Sequence, residues 1–176
     1  MARIIETERL LLRPIVSGDL ENIYKGLSHP DVIKYYGVSY DSMEATLEQM
    51  KWYASLEKEE TGAWWAICRK DDTTFLGAAG LNYRSAQHNK AEIGFWLLPD
   101  YQGMGIIREA VPLVCAYGFA EMGLHRIEAW IETDNDKSKK AVSALGFQYE
   151  GTLRENELKN GCYISLSVYA LLRQHL

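Results

Sequence analysis

Cysteine is scarce and unpatterned in this chain. Cys68, Cys115 and Cys162 are odd in number, far apart and set in apolar stretches, so they offer neither a disulfide framework nor a CxxC metal pair. His29, His88, His125 and His175 are scattered and make no metal spacing with one another or with a cysteine. Positive charge is not in excess. The net charge is −5, which argues against a nucleic-acid partner gripped mainly through phosphates. The longest apolar run, "AVPLVCAYGFA", is 11 residues, too short for a bilayer. The opening "MARIIETERLLLRP" is interrupted by charges every few residues and does not read as a signal peptide. Repeats, low-complexity tracts and Pro/Gly/Ser linkers are also missing. What remains is 176 residues, 47% apolar and 24% charged, the composition of one globular domain with a real core. A reducing cytoplasm suits it.

Local patterns supply the elements. Arg9–Arg13 reads as a short strand. Asp19–Leu27 reads as a helix, from apolar residues at 20, 23, 24 and 27, stopped by His29-Pro30. Ser42–Glu59 reads as a longer helix with Ser42 as N-cap, an apolar face of Met43, Leu47, Met50 and Tyr53 or Ala54, and Gly62 as its stop. Strands follow at Ala63–Arg69, Phe75–Arg84 and Lys90–Leu98. A helix at Ile106–Phe119, a strand at Arg126–Thr133, a short helix at Ser138–Leu145 closed by Gly146, and two last strands ("FQYEGTLREN" and "YISLSVYALL") complete the chain. Only the strand–helix–strand unit over 90–133 has to be parallel. Pro112, about two turns into its helix, predicts a kink or a late start there.

The segment "WLLPDYQGMGIIREA" places Gly103 and Gly105 between an apolar strand and an apolar helix, with no charge from Tyr101 to Ile107. Glycines feeding a helix N-terminus leave several backbone N–H groups unpaired and pointing one way, a ready site for phosphate oxygens. A Walker loop fails because Ile106 and Ile107 stand where Lys-Ser/Thr is needed. A dinucleotide GxGxxG loop lacks its third glycine, since Arg108 occupies that position. Glu128 falls near the spacing of a ribose-binding acid but early in its strand.

"AEIGFWLLPDYQGMGIIREAV" resembles motif A of the GNAT acetyltransferases, whose loop reads Gln/Arg-x-x-Gly-x-Gly/Ala. Gln102, Gly105 and Ile107 take those places, Ile107 where the family has a small residue. "ETERLLLRPIVSGDLENIY" and "IETDNDKSKKAVSALGFQYEGTLRENELKNGCY" resemble the start and the C-terminal half of the branch that acetylates ribosomal-protein N-termini. Nearly the whole chain is covered except about 31–62. The resemblance implies an α+β fold, a GNAT-like mixed, mostly antiparallel central sheet flanked by helices, as one domain over 1–176. It implies acetyl transfer from acetyl-coenzyme A to a primary amine by direct attack, in the cytoplasm and without metal.

Site residues follow by resemblance. The pyrophosphate falls on the N–H groups of Gln102, Gly103, Met104, Gly105, Ile106 and Ile107, with Arg108 as a possible phosphate partner. A backbone N–H among Phe95, Trp96 and Leu97 faces the thioester oxygen. An amine of pKa roughly 8 to 10 is mostly protonated at neutral pH and needs a base. Glu157 is the first candidate and Glu92 the second. Ser138 is the acid for the leaving thiolate, with an N-cap as its alternative role. Tyr163 is a weaker candidate acid, and Asn135 binds the pantetheine arm. Tyr35, Tyr36, Tyr40 and Trp52 wall the acceptor groove, whereas Trp64, Trp65 and Trp96 belong to the core. The expected acceptor is a peptide N-terminus. A small amine of the polyamine or aminoglycoside kind, and a non-catalytic acyl-coenzyme A binder, are the alternatives. A homodimer is left open.

Overall fold

The computed structural model describes residues 3–175. Eight strands form one sheet in the order β1-β2-β3-β4-β5-β6-β8-β7. They are β1 (Ile5–Glu6), β2 (Leu10–Pro14), β3 (Ala63–Arg69), β4 (Phe75–Ser85), β5 (Lys90–Leu97), β6 (Arg126–Glu132), β7 (Gln148–Lys159) and β8 (Cys162–Leu172). Five α-helices flank them: α1 (Leu20–Leu27), α2 (Pro30–Ile33), α3 (Met43–Lys58), α4 (Ile106–Ala120) and α5 (Asp136–Ala144). All strand pairs are antiparallel except β5 with β6. The mixed α+β plan expected from the sequence is the one observed.

Period-two alternation explains why the sheet is covered on both faces. In β3, Trp65 and Ile67 join Val111 and Val114 of α4 in one core. Trp64, Ala66 and Cys68 join Ile23 and Leu27 of α1 and Tyr53 and Leu56 of α3 in the other. Trp65 and Trp96 are buried as expected, as is most of Trp64.

Several expectations need correction. The short helix α2 and the strand β1 escape periodicity because each is too short to show one. The Ser42 hydroxyl does cap α3, accepting the Ala45 N–H at 3.1 Å. The buried face of α3, however, is Thr46, Gln49, Tyr53 and Leu56, while Met43 and Leu47 are exposed. Thr46 and Gln49 are acceptable inside because their polar atoms find partners, Ser42 O and the Tyr40 hydroxyl. The helix ends where Glu60 turns left-handed (φ 56°), before Gly62. Pro112 lies within α4, yet the helix begins at Ile106 with no late start. Cys162 is exposed, because it starts β8 at the tip of the last hairpin.

β5 and β6 pair only through Lys90–Glu92 with Arg126–Glu128. Beyond that, β5 stays bonded to β4 as far as Leu97 and β6 to β8 as far as Glu132. The two strands therefore part after Glu92, and the sheet opens into a notch. Trp64 lies flat beside it. A Cβ on Gly80 would fall 2.2 Å from Trp64 Cγ, and one on Gly94 2.7 Å from Trp64 Cζ2, so only glycines admit the ring. Gly80→Ala should therefore lower stability by about 1–3 kcal/mol through overpacking. Urea unfolding should show a lower midpoint with an unchanged slope.

Candidate active site

Strand alternation decides which amides face the notch. The Leu98 N–H donates to Leu76 O at 2.9 Å, on the β4 side. From the other side, Gln102 Nε2 donates to Leu97 O at 3.4 Å. Successive backbone groups point opposite ways. The N–H groups of Phe95 and Leu97 thus face the notch, and that of Trp96 faces β4. Of the three amides expected to polarise a carbonyl, two are so placed.

The glycine loop sits at the wide end. Gly103 and Gly105 have φ of 77° and 76°, the left-handed region that favours glycine. Among the described residues, the amides of Gly103, Met104 and Gly105 have no protein acceptor, whereas that of Gln102 bonds Pro99 O at 3.2 Å. Those of Ile106, Ile107 and Arg108 open α4, where no intrahelical acceptor exists. The first helical bond is Glu109 N–H to Gly105 O at 3.2 Å. Glu109 is in turn held by Arg9 Nε and Nη2, at 2.9 and 2.6 Å, and by the Thr7 hydroxyl, which braces α4 against the start of β2. A row of free amides at a helix N-terminus fits a pyrophosphate.

Two cavities meet at the notch. The larger, about 980 Å³, is lined by Phe95, Trp96, Leu97, Gln102, Gly103, Gly105, Ile106, Ile107, Arg108, Asn135 and Ser138. Every expected cofactor residue is there except Met104, which is exposed and lines neither cavity. Lys34, Arg108, Lys137 and Lys140 line it against Asp31, Asp134 and Asp136, which leaves one positive charge in excess. The smaller cavity, about 380 Å³, is walled by Tyr35, Tyr36, Tyr40 and Trp52, as expected, with Trp64, Tyr83, Trp130 and Glu92. The two share Tyr35, Tyr36, Phe95, Asn135 and Ser138, so they are two ends of one cleft.

Ser138 stands at the junction. Its Oγ accepts from Asn135 Nδ2 at 3.0 Å, and its N–H donates to Asn135 Oδ1 at 3.1 Å. Asn135 is thus the N-cap of α5, and Ser138 is not. The serine hydroxyl proton is left available to donate.

The two candidate bases have different settings. Glu157 is exposed on the edge strand β7, opposite Ile164, and lines neither cavity. Glu92 lies in the wall of the smaller cavity. Burial, and then the charges of Glu128 and Glu157, push its pKa up to about 7. Glu128 sits directly across the parallel pair from it. Burial works against its ionisation too, but Arg126 Nε at 2.7 Å, Lys90 Nζ at 3.1 Å and Trp130 Nε1 at 3.2 Å hold its pKa below the ordinary value. One carboxylate is fixed ionised, and its neighbour is poised near neutrality. Tyr36, raised by burial first and then by nearby Tyr53 and Glu92, keeps its proton. Tyr163 is exposed and lines neither cavity. No group of three or more His, Cys, Asp or Glu able to hold a metal occurs among the described residues. None of their helices is long and apolar enough to cross a membrane.

The Glu92–Glu128 pair was not anticipated. Its signal is the repeated start "KAE" and "RIE", cation–apolar–Glu, in the two strands that must run parallel.

The acetyltransferase (GNAT) domain model matches residues 9–148. The chain belongs to the GNAT acetyltransferases. Enzymes of this family transfer acetyl from acetyl-coenzyme A to amines. The chain is 35% identical, over 98% of both proteins, to the uncharacterized N-acetyltransferase YoaA of Bacillus subtilis. Its fold matches that of RimL, a ribosomal L7/L12 α-N-protein acetyltransferase solved with coenzyme A. There the TM-score is 0.86 at 20% identity, covering 97% and 98% of the two chains. It equally matches a spermidine N-acetyltransferase from Vibrio cholerae in complex with coenzyme A and spermine. The TM-score is 0.85 at 24% identity, over 96% and 98%. At these identities the two structures speak to fold alone.

The Glu92 shift has a consequence for stability. A carboxyl whose folded pKa exceeds its unfolded value binds protons more tightly when folded, so stability falls as pH rises between the two values. Here the window runs from 4.5 to about 7. Relative to Glu92→Gln, the wild type should lose up to about 3 kcal/mol across it and change little above it. Urea unfolding of both proteins from pH 4.5 to 8 checks this; parallel curves would exclude a perturbed Glu92.

Proposed function

We propose that the protein acetylates the α-amine of a peptide or protein N-terminus in the cytoplasm, with Glu92 as the base. The observation that carries this reading is a single carboxyl, poised near neutrality, in an aromatic cavity that opens into the groove of free amides. Acetyl-coenzyme A supplies the acetyl thioester. The amides from Gly103 to Arg108 hold its pyrophosphate, and Arg108 reaches a phosphate from the first turn of α4. The amides of Phe95 and Leu97 stabilise negative charge on the thioester oxygen. Glu92 takes a proton from the ammonium of the acceptor, which has a pKa of about 8 for an α-amine. The neutral amine attacks the carbonyl carbon, the C–S bond breaks, and Ser138 donates its hydroxyl proton to the departing sulfur; the nitrogen sheds its second proton as the amide forms, and that proton returns to the Ser138 oxygen, leaving the first on Glu92 for release to water.

The acceptor follows from the same wall. Glu92 is its one carboxylate, and the remainder is Tyr, Trp, amide and aliphatic surface. A polyamine carries several charges and calls for several carboxylates. A peptide N-terminus carries one, followed by side chains that suit aromatic surface. Buried free thiols at Cys68 and Cys115 suit a reducing compartment.

A thiol-release assay tests this, with acetyl-coenzyme A and a panel of a Ser/Ala-starting peptide, spermidine and an aminoglycoside. The peptide should be the best acceptor. Glu92→Gln should lower kcat by ~10²–10⁴ and Ser138→Ala by no more than that, with Glu157→Gln near wild type. Preference for spermidine would overturn the acceptor, and loss in Glu157→Gln alone would overturn the base.

A further inference from the structure

The cleft has two arms. β5 with α1 and α2 forms one, and β6, α5 and the β7–β8 hairpin form the other. One side chain joins them at the rim. Lys159, the last residue of β7, donates from Nζ to Lys34 O at 2.7 Å, in the C-cap of α2, and pairs with Glu132, the last residue of β6. Among the described residues this is the one hydrogen bond between 29–41 and β6, α5, β7 or β8. The partners are well shielded, with side chains 24% and 15% exposed for Lys159 and Glu132. A lysine can satisfy a helix-end carbonyl that has no partner of its own. The ammonium makes this hydrogen bond charge-assisted from the donor side, and the ion pair with Glu132 holds the ammonium in place.

The segment so held starts the wall shared by both cavities. Tyr35 and Tyr36 follow Lys34 directly, and each lines both ends of the cleft. The hairpin reaches them because it overhangs β6. Glu132 pairs with Leu166, while β8 continues back to Cys162 and β7 forward to Lys159. Asn160 and Gly161, with φ of 50° and 78°, turn the tip tightly.

We infer that Lys159 is a positioning residue that pins the Tyr35–Tyr36 wall across the open side of the notch, so that the acceptor meets a formed pocket rather than a groove. The inference deepens the acetyltransferase reading and rests on it for its kinetic consequence only. Lys159 touches neither substrate nor reacting atoms; it acts through the backbone of Lys34. Without it the wall must be ordered by the acceptor itself, which raises KM rather than lowering kcat.

The test uses the full chain with Lys159→Met, Lys159→Arg and Glu132→Gln. Amide hydrogen exchange of residues 34–40 reads the wall without any turnover. Lys159→Met should speed exchange there, and Lys159→Arg should restore protection, since a guanidinium reaches both acceptors. Glu132→Gln should fall between. The acceptor KM should rise about 10-fold in Lys159→Met, the size of one charge-assisted hydrogen bond, with kcat near wild type. Unchanged exchange at 34–40 in Lys159→Met would overturn the inference, whatever the activity. Faster exchange in a protein that acetylates no amine would leave the pin standing and remove the acetyltransferase reading. Equal losses of kcat and thermal stability in Lys159→Met and Lys159→Arg alike would mark Lys159 as merely structural.

Discussion

The separation of β5 from β6 is the constraint on which the rest of this structure depends. Backbone groups inside a sheet are spent on neighbouring strands. Where two strands part, one edge of each is released, and those groups must find water or a ligand. Here the released groups on β5 belong to Phe95 and Leu97. The connection between the two strands is the glycine loop and α4, whose own N-terminal amides are equally unspent. A single topological event therefore sets two rows of donors along one cleft. Neither row costs anything to reorganise when negative charge arrives.

The same three-residue parallel pairing that precedes the notch sets its electrostatics. It puts Glu92 and Glu128 side by side on one face, at the point where the strands are still together. Their environments then drive them apart. Glu128 is surrounded by Arg126, Lys90 and Trp130, and Arg126 extends the network to Glu150 on β7. Glu92 has buried surroundings and like charges. A fixed anion beside a tunable one gives a carboxyl that titrates near neutral pH, as the base proposed above requires. The exposed Glu157 contributes at a distance, through its field on Glu92.

Most of the framework was legible in the sequence. Strands β3, β4 and β5 and helix α4 announced themselves through largely apolar runs with punctuation by "KDDT", "RSAQHN" and the glycines. The loop was legible for the same reason: few roles other than ligand binding call for two glycines without charge at a strand–helix junction. What stayed hidden was tertiary. The inward face of α3 is polar because Gln49 and Thr46 find partners that no periodicity shows. The preference proposed for Glu92 over Glu157 rests on which strand borders the notch and which lies at the sheet edge. Trp130 reaches the smaller cavity from β6, and Asn82 and Tyr83 from β4, and nothing in their local sequence marks them.

The most direct test of the account is the pattern of backbone amide shifts when acetyl-coenzyme A is titrated into ¹⁵N-labelled protein. Phe95, Leu97 and the run from Gly103 to Arg108 should move as they gain acceptors. Trp96, whose amide is committed to β4, should move least among its neighbours. A response that leaves 103–108 unmoved, or that shifts Trp96 while Phe95 and Leu97 stay still, would contradict the claim that the parted strands and the free loop together hold the thioester.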